Sequence, residues 1–160
     1  YTQGEFDISE FPDKVIKNAV ELGRACIHRD HRNGRVLFLL WRGLAEYIVL
    51  TGKQYLFGCC SLTSQDPVEG MQAYRMLMDG NYLHPEYSIL VQQNYVCEIM
   101  ADHNYKAVDI SIPQLFRLYL EQNAKVCSLP AIDRKFKTID YLILLDIQDL
   151  PEQSRALFFK

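Results

Sequence analysis

Three short stretches of this 160-residue sequence carry residue types that could do chemistry. The first is Glu21-Leu-Gly-Arg24, a charged pair inside an otherwise apolar run. Charge within an apolar strand is costly unless it is paired or used. Glu21 could take a proton from an attacking ammonium, directly or through water. Arg24 could orient a carboxylate or hold Glu21 in place. A structural salt bridge between the two is the plainer reading. Side chains alternate along a regular strand, which sends residues 21 and 24 to opposite faces. Joint service at one site would then require a bulge near Gly23.

The second stretch is the polar turn Arg29–Arg35, with Asn33-Gly34 as its turn signal. Arg24, Arg29, Arg32, Arg35 and Arg42 cluster here, and Asp30 is the one acid among them. If a helix begins at this turn, its first N–H groups and the positive end of its dipole face outward. A glycine lets an anion approach the backbone, and flanking arginines supply forked donors. Such a turn suits a phosphate or pyrophosphate. The plainer alternative is an ordinary strand-to-helix connection with solvated arginines.

The third stretch is Asp133-Arg-Lys-Phe-Lys-Thr-Ile-Asp140, just before an apolar run. Asp133 and Asp140 could bind a substrate amine; a solvated loop is the plainer reading. His28 and His31 fit surface positions better than acid–base roles. Cys59-Cys60 and the Phe38/Trp41 stripe fit core packing.

The elements that would position these residues follow from periodicity and punctuation. Residues 1–13 are polar and turn-like. Residues 19–28 read as a buried strand. An apolar stripe at 36, 37, 40, 41, 44, 47 and 48 makes a helix that stops at Thr51-Gly52. Tyr55–Leu62 reads as a strand, so the order is strand, turn, helix, strand, and the two strands should run parallel. Asp66-Pro67 opens a helix through about Met78, with Glu69 completing a capping box. A helix over 112–123, strands over 125–128 and 141–147, and a closing helix over 150–159 are expected; residues 79–111 give no clear pattern.

The bulk numbers set limits. The length suits one domain over 1–160, and 49% hydrophobic residues can fill a core. A formal net charge of −3 argues against a general nucleic-acid binder. Five cysteines without a CxxC pair suggest neither a disulfide framework nor a metal site, and fit a reducing cytoplasm. No apolar run is long enough to span a bilayer. The sequence begins at Tyr1 rather than methionine, which suggests a fragment.

The stretch from Glu21-Leu-Gly-Arg24 through Arg32-Asn-Gly-Arg35 and the Leu-rich helix resembles the ornithine-lipid, or hemolysin-like, type of GNAT N-acyltransferases. These are related to N-acyl amino acid synthases and acyl-homoserine-lactone synthases. Asp133, Phe136, Thr138 and Asp140 before a closing strand also resemble the C-terminal part of that family. The resemblance implies an α/β (α+β) GNAT-like fold. Its sheet is mixed, mostly antiparallel, and splayed at one parallel strand pair. It also implies roughly 100 residues of further strands and helices ahead of this region.

The family's chemistry implies direct attack of an acceptor amine on an acyl thioester. The resemblance assigns Glu21 and Arg24 to catalysis, and Cys26, Ile27, His28, Arg32, Gly34 and Arg35 to the donor. Asp133 and Asp140 fall to the acceptor. No metal and no permanently bound cofactor is implied; the donor is an acyl-phosphopantetheine thioester. Acetyl-CoA enzymes of this fold carry [QR]-x-x-G-x-[GA] at the turn, whereas Arg35 and Leu37 stand at both glycine places here. That departure favours acyl carrier protein over CoA as donor, because an arginine-rich mouth suits the carrier's acidic surface. The expected location is cytoplasmic. Lipid products allow peripheral contact with the inner membrane, although no amphipathic anchor stands out. Three rival readings are a homoserine-lactone synthase-like enzyme, an acetyl-CoA-dependent GNAT enzyme, and a module that only binds carrier protein.

Overall fold

A computed structural model of the chain describes residues 1–97 and 110–159. The N-terminal stretch forms two short 3-10 turns, Thr2–Gly4 and Ile8–Glu10, and then a one-turn helix α1 (Asp13–Lys17). Turns were expected here, but not burial. Phe6, Phe11 and Val15 are all buried, so this polar-looking segment packs as a flap on the sheet.

Strand β1 covers Ala19–Glu21, not the expected 19–28. It runs parallel to β2 (Tyr55–Leu62), from Ala19 opposite Tyr55 to Glu21 opposite Phe57. The last bond across the pair is Leu22 N–H to the Phe57 carbonyl at 2.8 Å. One residue further along β2, a Cβ on Gly58 would sit 2.2 Å from the Leu22 carbonyl oxygen. Only glycine allows that close pass. Arg24 then takes φ 55°, in the left-handed region, and bends the chain away from β2. Residues 22–28 therefore continue outside any ladder, and the pair splays open.

Helix α2 (Gly34–Thr51) begins where the Asn33 side chain accepts a hydrogen bond from Val36 N–H. It ends at Gly52, whose φ of 64° closes the last turn. Helix α3 (Pro67–Asp79) starts at Asp66, whose carboxylate accepts from Val68 N–H. Glu69 does not close a capping box; it accepts from the Ser64 hydroxyl at 2.5 Å instead. Helix α4 (Gln114–Glu121) follows Pro113. Strand β3 (Lys125–Val126), strand β4 (Ala131–Asp133) and strand β5 (Thr138–Asp146) come next, and helix α5 (Glu152–Phe158) closes the chain. Strand β4 was not anticipated. It is three residues long and forms a hairpin with β5 through Asp133 opposite Thr138.

The sheet order is β1-β2-β5-β3, with β4 also paired to β5. The β1–β2 pair is parallel and the other pairs are antiparallel. Alternation along β2 and β5 sorts their side chains onto two faces. Leu56, Cys60, Ile139, Tyr141 and Ile143 join Ile48 of α2, Leu77 of α3 and Phe116 of α4. Phe57, Leu142 and Leu144 join Phe6, Phe11 and Val15 on the opposite face. Asp140 has the parity of Leu142, so it points toward the N-terminal flap.

Candidate active-site cleft

The splay opens a cleft of about 680 Å³ between residues 22–27, the first half of α2, and α4. Leu37, Leu40, Trp41, Leu44, Leu118 and Tyr119 make its inner walls apolar. Trp41 thus lines a cavity besides packing on the core, and Phe38 is 36% exposed, so the stripe is not purely interior. Cys26, Ile27, Arg32 and Gly34 line the cleft. His28 and Arg35 are exposed and outside its lining. Among the described residues, no backbone carbonyl accepts from the N–H groups of residues 23–28. They are left for solvent or a ligand.

At the helix end of the cleft, the Arg32 Nε donates to the Ile27 carbonyl at 3.0 Å, which ties the turn to the extended segment. Open space lies beside Gly34. Arg29 and His31 are exposed, and His28 Nδ1 accepts from Asp30 N–H at 3.4 Å. Arg42 faces elsewhere: it donates to the Leu157 carbonyl at 3.3 Å and lies 3.7 Å from Glu46.

Glu21 and Arg24 form no ion pair with each other among the described residues, so the salt-bridge reading does not hold. Glu21 Oε1 accepts from Thr2 N–H at 2.6 Å and lies 3.1 Å from the Tyr1 nitrogen. Burial opposes its ionisation, but the hydrogen bonds from Thr2 outweigh that and hold the carboxyl below its ordinary value. The Arg24 guanidinium lies over the Tyr1 ring, 5.5 Å from its centre. Strand termination and the left-handed turn at Arg24 bring its side chain to the rim of a second hollow, while Glu21 is not among the residues lining either space. That hollow, about 280 Å³, is lined by Tyr1, Leu22, Arg24, Cys59, Ser61 and Thr138, with Gly23 and Phe136 beside them. Leu22 and Gly23 line both spaces.

Next to Thr138 and Cys59 of that lining lies a group of buried acids. Asp133 is 3% and Asp140 1% exposed, so neither sits in a solvated loop. Asp133 Oδ1 accepts from the Lys135 and Phe136 N–H groups at 2.7 and 2.9 Å, which fixes the β4–β5 turn. Asp140 Oδ2 accepts from the Thr138 hydroxyl at 3.3 Å, and its other oxygen has no partner among the described residues. Glu5, 2% exposed, completes the cluster; oxygens of all three carboxyls lie within 4.8 Å of one another. No lysine or arginine forms an ion pair with them among the described residues. Burial, then the charge of Asp140, pushes the Glu5 carboxyl up to about 8. Burial also raises Asp140. An all-oxygen set of this kind could hold a hard cation, though Asp133 already spends one oxygen on its turn.

Sequence reading missed Glu5 altogether. Its signal was weak: an acid beside Phe6 with no base nearby, in a segment that reads as polar turn. Cys60 is buried as expected. Cys59 is not purely core, since its sulfur lies 3.8 Å from Thr2 Oγ1 and 4.0 Å from Glu5 Oε2. Burial drives the Cys59 thiol far above its ordinary value, which removes it as a nucleophile.

The parallel strand pair that splays beside an unpaired extended segment, with a helix N-terminus at one end of the gap, matches what the resemblance to GNAT enzymes implied for the sheet. Comparison with known proteins agrees. The acetyltransferase (GNAT) domain family matches residues 1–42. The chain is 28% identical to an L-ornithine N(alpha)-acyltransferase of Rhodobacter capsulatus, over 99% of this chain and 61% of that protein. It is 29% identical to the Rhizobium meliloti protein of the same name, over 92% of this chain and 51% of the relative. For the Brucella abortus protein of that name the identity is 26%, over 92% and 54%. The chain therefore spans between about half and three-fifths of the length of these relatives. No solved structure matches it. The resemblance read in the sequence is borne out: the chain has a GNAT-type fold and N-acyltransferase relatives over most of its length. Among the described residues, no helix is long and apolar enough to cross a membrane.

Proposed function

We propose that the chain carries the donor cleft and one wall of the acceptor site of an N-acyltransferase. The enzyme moves a long-chain acyl group from a phosphopantetheine thioester to the α-amine of an amino acid such as ornithine or glycine. The observation that carries this reading is the splay at Leu22 and Gly58. There β1 leaves β2 with the N–H groups of residues 23–28 free beside an apolar cleft. The names of the relatives support the reaction class and ornithine as the first acceptor to test.

In this mechanism the pantetheine amides pair with the free backbone groups along 23–28, passing Cys26, Ile27 and His28. The phosphate meets the first turn of α2 at Gly34, with Arg32 and Arg35 supplying charge. The acyl chain lies against the apolar walls. The acceptor occupies the second hollow, and the two substrates meet at Leu22-Gly23, the segment shared by both spaces. Its nitrogen attacks the thioester carbonyl carbon, and free N–H groups of the segment hold the oxyanion. The carbon–sulfur bond then breaks and the amide forms. Attack makes the nitrogen strongly acidic, so an ionised Glu21 can take its proton, directly or through water. The departing sulfur leaves as thiol once it recovers a proton.

Arg24 at the rim orients the acceptor carboxylate. The buried group of Glu5, Asp133 and Asp140 holds a proton on Glu5 and still leaves negative charge behind the hollow, which favours a cationic amine. Acyl carrier protein is the proposed donor partner, since the turn lacks the glycines of a pyrophosphate cradle and is rich in arginine. A cytoplasmic enzyme that meets the inner membrane at its surface fits lipid products.

The reading is tested by mass spectrometry of lipids from cells expressing the protein, with and without Glu21→Gln. New N-acyl amino acids that disappear in the variant support it and identify the acceptor. Equal products from both would remove Glu21 from the mechanism. No such product from either would favour a module that binds carrier protein without turnover.

A further inference from the structure

We propose that the Trp41–Tyr119 ring pair sets the length of acyl chain that the cleft accepts. The proposal rests on the acyl-transfer reading, because it takes the apolar end of the cleft as the place of the acyl tail.

The cleft has two chemically different ends. Arg32, Asn33 and Gly34 bound one, while Trp41, Leu44, Leu118 and Tyr119 bound the other. A thioester anchored by its phosphate at the first end must direct its apolar tail toward the second. There the chain meets two aromatic rings, with centroids 5.5 Å apart and planes inclined at 52°. Trp41 is held in turn by stacking on Phe158 of α5, 5.8 Å away at 28°. Rings with few rotatable bonds, fixed on two sides, make a firm stop.

What lies behind the rings makes them the determinant. Tyr119 also lines a hollow of about 20 Å³ with Leu22, Leu56, Gly58 and Ile143. Trp41 also lines a hollow of about 10 Å³ with Ala45, Ile48, Leu56 and Leu145. Each space has room for at most about one water molecule, so no tail enters them while the rings stand. Both hollows are walled by apolar side chains, and protein interiors relax only partly when a large side chain is cut away. Removing either ring therefore joins its hollow to the cleft and lengthens the path for the tail.

The test combines binding with product length. Trp41 is the sole tryptophan, so its emission reports directly on the inner end of the cleft. Octanoyl, dodecanoyl and hexadecanoyl phosphopantetheine thioesters are titrated into the protein, and the same donors are offered for transfer. In the wild type, affinity should rise by about fourfold per buried methylene until the tail reaches the rings, and then level off. Trp41 emission should change most for the tails that arrive there. Tyr119→Ala should move the plateau and the products toward longer chains while Trp41 still reports. Trp41→Ala should do the same. If these variants unfold, Leu40→Phe gives an independent reading, because Leu40 is 49% exposed yet lines the cleft; it should shorten the preferred chain.

An unchanged plateau and product profile in a folded Tyr119→Ala or Trp41→Ala, or in Leu40→Phe, overturns the proposal. So does Trp41 emission that ignores chain length. A wild type that transfers no acyl group from any thioester defeats the transfer reading instead. The affinity plateau then still decides whether the rings stop the tail.

Discussion

Glu5 and Asp140 lie far apart in the chain, yet their carboxyl oxygens come within 4.8 Å of each other in the interior. Among the described residues, neither has a cationic partner, and one Asp140 oxygen has no hydrogen bond. A proton held on Glu5 and shared toward Asp140 relieves both problems. Among the described residues, Tyr1, Cys59, Cys60, Tyr95, Asp133 and Tyr141 are the other titratable groups near the pair.

That arrangement fixes the sign of a pH effect. Glu5 is raised from 4.5 to about 8 in the folded protein, so the folded state holds a proton that the unfolded chain gives up near 4.5. The stability this proton contributes is fully present below the unfolded value. It is lost as pH rises through about 8. Urea unfolding from pH 5 to 9 should show a decline that flattens in Glu5→Gln. Asp140→Asn should move the Glu5 titration down, because the neighbouring charge is gone, as a carboxyl carbon NMR titration would show. A Glu5 resonance titrating near its ordinary value would contradict the shared proton.

Gly58 should tolerate no side chain. Its Cβ would collide with the Leu22 carbonyl at 2.2 Å, so Gly58→Ala must push β1 away from β2. A loss of about 1–3 kcal/mol in unfolding free energy is expected, together with weaker thioester binding. A variant as stable as wild type would mean that Leu22 does not pass as closely as described.

Asn33 separates helix capping from anion binding. Asn33→Asp keeps the cap, since both side chains accept the Val36 N–H, but places a negative charge at the cleft mouth. Stability should hold while thioester affinity falls by roughly tenfold. Asn33→Ala should cost about 1 kcal/mol of stability. Arg32→Gln and Arg35→Gln should also weaken the donor and reduce the salt dependence of binding. Arg42→Gln should leave binding alone, because that side chain is engaged with Leu157 and Glu46. Equal effects from Arg35 and Arg42 would dissolve the phosphate assignment.

Much of this frame was legible in the sequence, because its signals are local. Asn33-Gly34 and Gly52 mark the ends of α2, and the apolar run Tyr55–Leu62 coincides with β2. The end of β1 was not legible. The apolar residues Ala25, Cys26 and Ile27 look like strand, and what takes them out of the ladder is the left-handed turn at Arg24, a residue type that gives no such signal. Asp140 was named from its type, but its burial follows from sharing a sheet face with Leu142, which requires knowing the pairing. Glu5 was missed because its partners lie far along the chain and its own surroundings read as polar turn.

The acyl-transfer reading is tested most directly with purified protein, hexadecanoyl-acyl carrier protein and L-ornithine, following amide product and free thiol by mass spectrometry. The wild type should form N-hexadecanoyl ornithine with one thiol released per amide, and Glu21→Gln should slow it by roughly 100-fold or more. Absence of amide and thiol with both carrier-protein and CoA thioesters, in a folded protein that still binds the donor, would contradict the account.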